Sequence, residues 1–227
     1  MTTFEKFQRF TAELQKKMPG FNVAYKDESL LMRLIGFLMF FNSSFMTKFV
    51  TTISKTVYFP NRQELESRKD PGFIATLAHE FVHACDSDRL SFGLFSFLYL
   101  FPQILSPFML LFMFWHWWLG LLLFIVFLSP LPAPWRMHYE ARGYTMSLFM
   151  QNELMKQNGV SLERRREYLL QSIEGFNIQF TSVNYYFMWP FGVKKRLTEN
   201  LEKILDMTIY QEDDVYVVAL SAVRNSV

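Results

Sequence analysis

The chain has 227 residues, which is enough for one domain with a core or for a small catalytic domain with membrane segments. Its formal net charge of +2 is too small for a nucleic-acid-binding protein, which needs a basic face. With 26 Phe, 10 Tyr and 5 Trp in a chain that is only 19% charged, we expect membrane lipid or a large apolar partner to cover part of the surface. The single cysteine, Cys85, excludes an internal disulfide and a cysteine-based zinc cluster.

The first sixty residues predict helices and a small β element. Residues 1–17 predict an amphipathic helix without the apolar run of a signal peptide, so we expect no secretion by that route. Residues 21–25 predict a short strand. The apolar helix at 29–42 is shorter than the roughly 20 residues that a bilayer crossing needs, which predicts a buried or interfacial helix. Residues 47–60, rich in Thr, Val, Phe and Tyr, predict one further strand.

Residues 70–85 predict a helix that carries the sequence HEFVH. Asp70 can cap this helix, and Pro71 suits its first turn. The two histidines of the motif, His79 and His83, are then about one helical turn apart and can share a cation. The alternative is a helix that carries two surface or core histidines without a metal.

Glu80 follows the first histidine, and we expect it to be the general base of a metal-dependent hydrolase. It can reach a metal-bound water without binding the metal itself. Zinc would lower the pKa of that water towards about 7. Glu80 would then accept the proton of the water and pass it to the leaving amine.

Residues 90–135 contain no Asp, Glu, Lys or Arg. At about 1.5 Å of rise per residue, the run predicts two short crossings of a hydrocarbon core about 30 Å thick, with a turn between them. The turn falls either at Pro102 and Pro107 or in the aromatic stretch 114–120. A buried helical pair of a soluble protein is the alternative.

The third metal ligand has four candidates: Asp86, Asp88, His138 and Glu140. Glu140 fits best because it lies on a separate predicted helix at 136–159. Two crossings bring the chain back to the side on which it started, so Glu140 can meet the histidines. His138 is its main rival.

Three further residues have expected roles around this site. Gly143 lets its helix approach the histidine helix closely. Asp86 is expected to accept a hydrogen bond from a ligating imidazole and so to orient it. Tyr144 lies on the face of Glu140 and either packs or donates a hydrogen bond to a developing oxyanion.

The later part of the chain predicts more helices, at 162–173, at 198–207 and from 209 onwards. An aromatic segment with a basic end, 176–196, predicts a surface anchor. Basic residues flank the uncharged run and none lies at its tip, which predicts that the catalytic side faces the cytoplasm. These flanking residues are Arg68, Lys69, Arg89, Arg136 and Arg142.

The sequences HEFVH at 79–83 and YEARGY at 139–144 resemble the HExxH zinc metallopeptidases with a glutamate ligand. The chain is most similar to the integral-membrane metallopeptidases related to the CaaX prenyl protease and the heat-shock membrane protease. The resemblance implies zinc ligation by His79, His83 and Glu140, with Glu80 as general base, and it covers residues 70–146. This chain has Tyr144 where those families commonly have an acidic residue.

The expected protein is therefore mainly α-helical. It would be a single zincin-like domain over residues 1–227, with a transmembrane hairpin at 90–135 inserted between the metal ligands. We expect a zinc-dependent, membrane-associated endopeptidase that acts on peptide or protein substrates. An inactive zincin-like membrane protein and a soluble zincin with a large apolar core are the alternatives.

Overall fold

The computed structural model describes residues 2–39, 42, 44–68, 70–129, 131–180 and 191–226. The chain is mainly helical with one small sheet, as the sequence predicts. The α-helices are α1 Thr3–Lys17, α2 Leu30–Leu38, α3 Arg62–Ser67, α4 Gly72–Leu90, α5 Phe92–Leu100, α6 Ser106–Met109, α7 Trp117–Leu128, α8 Pro134–Gln157, α9 Leu162–Gln179, α10 Val193–Leu205 and α11 Asp214–Ser226.

The sheet contains three strands, β1 Asn22–Tyr25, β2 Thr51–Ile53 and β3 Thr56–Phe59, in the order β1-β3-β2. β1 is parallel to β3, whereas β2 is antiparallel to β3 and forms an edge of the sheet. The prediction of one continuous strand at 47–60 is therefore wrong. The chain reverses between Ile53 and Thr56, and Ser54 adopts φ 54°, the positive angle that tight hairpin turns require.

Helix α2 lies on the surface. Only Met32 is buried, while Leu30 is 83% exposed and Phe37 is 76% exposed. Of the two expectations for residues 29–42, burial is excluded for the helix that the structure describes, and residues 40 and 41 lie outside the described part.

Helices α4 and α8 pack along each other and form the centre of the protein. Helix α4 begins at Gly72, so Pro71 is its N-cap residue and does not lie in the first turn as predicted. The Asp70 carboxylate still lies at this end of the helix, where it accepts a hydrogen bond from the Gly72 amide at 2.7 Å. The helix runs past the predicted end at 85 to Leu90, so the HExxH motif lies in its middle. Leu77 and Phe81 on this helix are almost completely buried, and the Phe81 ring packs edge-on against Phe21.

The uncharged run does not form two long helices. It consists of α5, a 3-10 turn at Gln103–Leu105, α6, a second 3-10 segment at Leu110–Phe114, and α7. Among the described residues, no single helix is both long and apolar enough to cross a membrane. Taken together, helix α5 and the segment from Gln103 to Phe114 have the length and composition of a membrane span. The two parts are bent by 97° relative to each other.

The chain reverses at Trp115 and His116, within the aromatic stretch that was one of the two predicted turn sites. Helix α7 returns against the 106–114 segment. The two segments approach closely at Gly120, where a Cβ would lie 2.5 Å from the Met113 backbone nitrogen. Helix α5 packs instead on α4 and α8 and so belongs to the central part of the protein.

Large apolar side chains cover the outside of this run. Phe114 is 90% exposed, and Trp115 and Trp117 are mostly exposed as well. The run is thus not a buried helical pair within the described structure. Of the predicted anchor at 176–196, residues 181–190 lie outside the described part, while 176–179 belong to the end of α9 and 193–196 to the start of α10. The flanking residue Lys69 also lies outside the described residues.

We expect Leu77→Ala to lower the free energy of unfolding by about 2–5 kcal/mol, because it removes a fully buried side chain between α4 and its neighbours. Thermal or chemical unfolding of the purified protein measures this loss. Val217→Ala on α11, where the side chain is about half exposed, is the matched control and should change stability little. Equal losses in both variants would contradict the central position of Leu77.

Candidate metal centre

Helices α4 and α8 bring His79, His83 and Glu140 together. The Nε2 atoms of the two histidines are 3.1 Å apart. Glu140 Oε2 lies 3.3 Å from His79 Nε2, and Glu140 Oε1 lies 3.6 Å from His83 Nε2. All three side chains are buried, and one ligand atom of each lies within 4.8 Å of the others. The structure confirms that these residues form a group that could hold a metal ion.

The hydrogen bonding of this group fits a cation. Glu140 Oε2 has no hydrogen-bond partner, although this atom is buried. A buried carboxylate oxygen without a partner is costly, and a cation beside it would offset that cost. Two imidazoles and one carboxylate are also a common donor set for zinc with one open position.

The electrostatics of Glu140 and His83, though not those of His79, favour the protonation states that metal binding needs. Burial alone would raise the pKa of Glu140, but the adjacent His79 and His83 lower it to about 2. Glu140 is therefore ionised at neutral pH. Burial lowers the pKa of His83, which favours its neutral, metal-binding form. Burial would also lower the pKa of His79, but contact with Glu140 raises that pKa overall.

Gly143 of α8 lies directly against the His79 side chain of α4. A Cβ atom at Gly143 would lie 2.6 to 2.8 Å from three atoms of the His79 ring. Any side chain there would have to displace the imidazole. The expectation that Gly143 permits close approach is confirmed, because this glycine makes room for a candidate ligand.

Two residues that sequence reasoning missed contact the ligands. Ser147 Oγ lies 3.4 Å from His79 Nδ1, the ring nitrogen that faces away from the other ligands. Ser147 lies one helical turn after Gly143, and this spacing could have predicted its position near His79. The Tyr99 hydroxyl donates a hydrogen bond to Glu140 Oε1. Tyr99 lies within the uncharged run, where nothing in the sequence marks it as part of a site.

Asp86 does not make its expected contact with an imidazole. Its Oδ1 accepts from Arg142 of α8, and its Oδ2 has no hydrogen-bond partner. A charged guanidinium is a stronger partner for a buried carboxylate than a neutral imidazole. Arg142 also pairs with Asp213, which binds Arg89 at 2.9 Å. Asp86 therefore joins α4 to α8 and to the start of α11.

The rival ligands lie elsewhere. Asp88 forms an ion pair with Lys55 at 2.7 Å on the protein surface. His138 Nδ1 lies 3.3 Å from Arg196, and neither Asp88 nor His138 belongs to the buried group. Of the four candidates for the third position, Glu140 is the one that the fold brings to the histidines.

Glu80 lines a cavity of about 260 Å³ beside the ligands. The Thr52 hydroxyl on edge strand β2 donates to Glu80 Oε2 at 2.6 Å. His79, Ser147 and Tyr144 line the same cavity. The carboxylate of Glu80 is thus held at the wall of a cavity that also contains a candidate ligand.

Tyr144 packs closely around this cavity. Its ring meets the His79 ring edge-on, with centroids 4.9 Å apart, and lies 4.5 Å from the Phe176 ring. These contacts support the packing alternative for Tyr144. The oxyanion alternative stays a prediction, since the side chain lines the cavity as well.

Comparison of the chain with protein-family models, with curated proteins and with solved structures found no match.

We expect Gly143→Ala to weaken metal binding at least tenfold and to destabilise the protein by about 1–3 kcal/mol, because the new methyl group displaces the His79 ring. Competition with a chelator measures the affinity, and thermal unfolding measures the stability. Gly175→Ala on α9 is the matched control: no atom lies within 4 Å of a Cβ there, so it should stabilise the helix by up to about 1 kcal/mol. Unchanged affinity in Gly143→Ala would show that the ring is free to move.

Proposed function

We propose that the protein is a membrane-associated, zinc-dependent endopeptidase of zincin-like architecture. The observation that carries this proposal is the buried group of His79, His83 and Glu140 next to a cavity lined by Glu80. The HExxH spacing on one helix and the glutamate on a second helix are the arrangement that the resemblance implies.

The three ligand residues would hold the ion, and their chemistry favours zinc. Imidazole nitrogen with a carboxylate suits zinc better than calcium or magnesium, which prefer oxygen ligands alone. When bound, zinc would supply Lewis-acid chemistry, which polarises a carbonyl and lowers the pKa of water towards about 7.

Glu80 would act as the general base and then as the general acid. It would accept a proton from the attacking water and later deliver it to the amine of the cleaved peptide bond. Thr52 supports this role because its hydroxyl donates a hydrogen bond to Glu80 Oε2 and so orients the carboxylate. Glu80 Oε1 is then the oxygen available to the water.

An extended peptide is the substrate that suits this cavity. Edge strand β2 carries Thr52, and the preceding residues 48–50 line the cavity. An edge strand has unpaired backbone groups that can pair with a peptide in extended form. Such pairing would place a peptide bond near Glu80 without requiring a particular side chain.

The uncharged run would provide the membrane association. Its outer surface carries Phe114, Trp115 and Trp117, which are largely exposed, and it contains no charged residue. Exposed aromatic rings next to an uncharged helical segment are typical of a membrane interface. We propose lipid as the partner of this surface and, from the flanking basic residues, the cytoplasm as the side of the catalytic centre.

Glu80→Gln should lower the rate of peptide cleavage about 100-fold or more while zinc stays bound, because the amide cannot accept a proton. His83→Ala should lose both zinc and activity. Metal analysis of the purified proteins and cleavage of a broad peptide library measure the two effects. Glu28→Gln, at an exposed site, is the control and should behave like the parent.

Two outcomes would contradict this assignment. Absence of stoichiometric zinc from the parent protein would contradict the proposed metal centre. Identical cleavage products and rates from the parent and from Glu80→Gln would favour the alternative, a zincin-like membrane protein that binds metal but does not catalyse.

We expect the protein to float with phosphatidylcholine vesicles and to resist a carbonate wash. Replacing Phe114, Trp115 and Trp117 together by Gln should release most of it, because three large exposed apolar side chains are lost. Tyr168→Gln, a half-exposed aromatic residue on α9, is the control and should remain bound. Full release of the unaltered protein by carbonate would contradict insertion of the apolar hairpin into the membrane.

A further inference from the structure

Tyr99 reaches the metal centre from the uncharged run. It lies in the last turn of α5, and its hydroxyl donates a hydrogen bond to Glu140 Oε1. The Tyr99 ring also meets the His83 ring edge-on, with centroids 6.0 Å apart and planes at 77°. One side chain of the run therefore contacts two of the three candidate ligands.

The position of Tyr99 is fixed by the residues around it. Arg136, which is buried at the start of α8, donates from Nε to the Tyr99 carbonyl at 2.9 Å. The Arg136 guanidinium also lies 5.3 Å from the centre of the Tyr99 ring and donates to the Gln103 side chain. Phe95, one turn earlier on α5, packs against the same ring. These contacts hold the Tyr99 phenol in one position.

The two oxygens of Glu140 are consequently unequal. Oε1 accepts the Tyr99 hydroxyl, whereas the buried Oε2 has no hydrogen-bond partner and lies 3.3 Å from His79 Nε2. A carboxylate that binds through one oxygen keeps its second oxygen for a hydrogen bond, and that bond sets the orientation of the ligand.

We propose that Tyr99 is a positioning residue for the metal centre: its hydroxyl holds Oε1 of Glu140 and thereby presents Oε2 to the cation. The inference rests on the proposed metal site, and it gives the uncharged run a second role beyond contact with lipid. Tyr99 acts through Glu140 and need not touch the substrate.

The test replaces Tyr99 by Phe in the full-length protein and uses zinc and cobalt(II) as probes. Tyr99→Phe removes one oxygen and keeps the ring that packs on His83 and Phe95. Competition with a chelator should show zinc bound about tenfold to 100-fold more weakly, the usual cost of removing a group that orients a metal ligand. The thermal midpoint of the metal-free protein should fall as well, because the buried Oε1 of Glu140 loses its donor, so affinities are compared at a temperature where both proteins are folded.

Cobalt(II) absorption gives a readout that a loss of packing would not move. With Oε1 released, the carboxylate can bind through both oxygens, so the visible bands of the cobalt protein should weaken and shift relative to the parent. The spectrum comes only from molecules that bind cobalt, so a partial loss of folded protein does not hide the effect.

Tyr139→Phe is the matched control. Tyr139 is buried next to Glu140 and packs on Phe95 as Tyr99 does, with ring centroids 4.9 Å apart. Among the hydrogen bonds of the described residues it makes none to a candidate ligand, so its zinc affinity and cobalt spectrum should match the parent.

The outcomes separate this inference from the proposed function. A parent that binds neither zinc nor cobalt overturns the metal centre itself. A parent that binds zinc, together with Tyr99→Phe of equal affinity and identical cobalt spectrum, overturns the role of Tyr99 alone. Equal changes in Tyr99→Phe and Tyr139→Phe would assign the effect to packing around Phe95 and would also overturn the inference.

Discussion

The close contact between α4 and α8 at Gly143 is the constraint on which the rest of the structure depends. The His79 ring occupies the space that any side chain at position 143 would need. One turn before Gly143, Glu140 faces the histidines; one turn after it, Ser147 faces the far nitrogen of His79. Because position 143 has no side chain, one face of α8 contacts the candidate site over three successive turns.

Buried charge on both sides of this contact is matched by partners from other elements. Arg142 of α8 joins Asp86 of α4 to Asp213 beside α11. Removing one partner of a buried ion pair costs more than the pair contributes, so the network favours one arrangement of the three helices. The candidate ligands therefore lie between two helices whose separation is fixed at Gly143 and at Arg142.

The part of this architecture that could be predicted rests on local spacing. His79, Glu80 and His83 follow from helical periodicity, and Glu140 with Gly143 follows from the same periodicity on a second helix. The hairpin turn at Ser54 was missed because Thr and Val on both sides read as one strand. Tyr99 was missed because its partner lies 41 residues away and its own surroundings are uniformly apolar. The expected contact of Asp86 with an imidazole was wrong because its partner, Arg142, comes from a contact between helices that spacing alone does not specify.

The chain order of the candidate ligands would tie metal binding to folding of the uncharged run. The histidines precede the run, Glu140 follows it, and Tyr99 within it contacts Glu140. An ion that requires all three ligands binds only after α5 has packed against α4 and α8 and the chain has returned to α8. By mass action, such an ion stabilises that folded arrangement over every state in which the run is detached. Metal affinity would then report on whether the apolar segment has reached its final position.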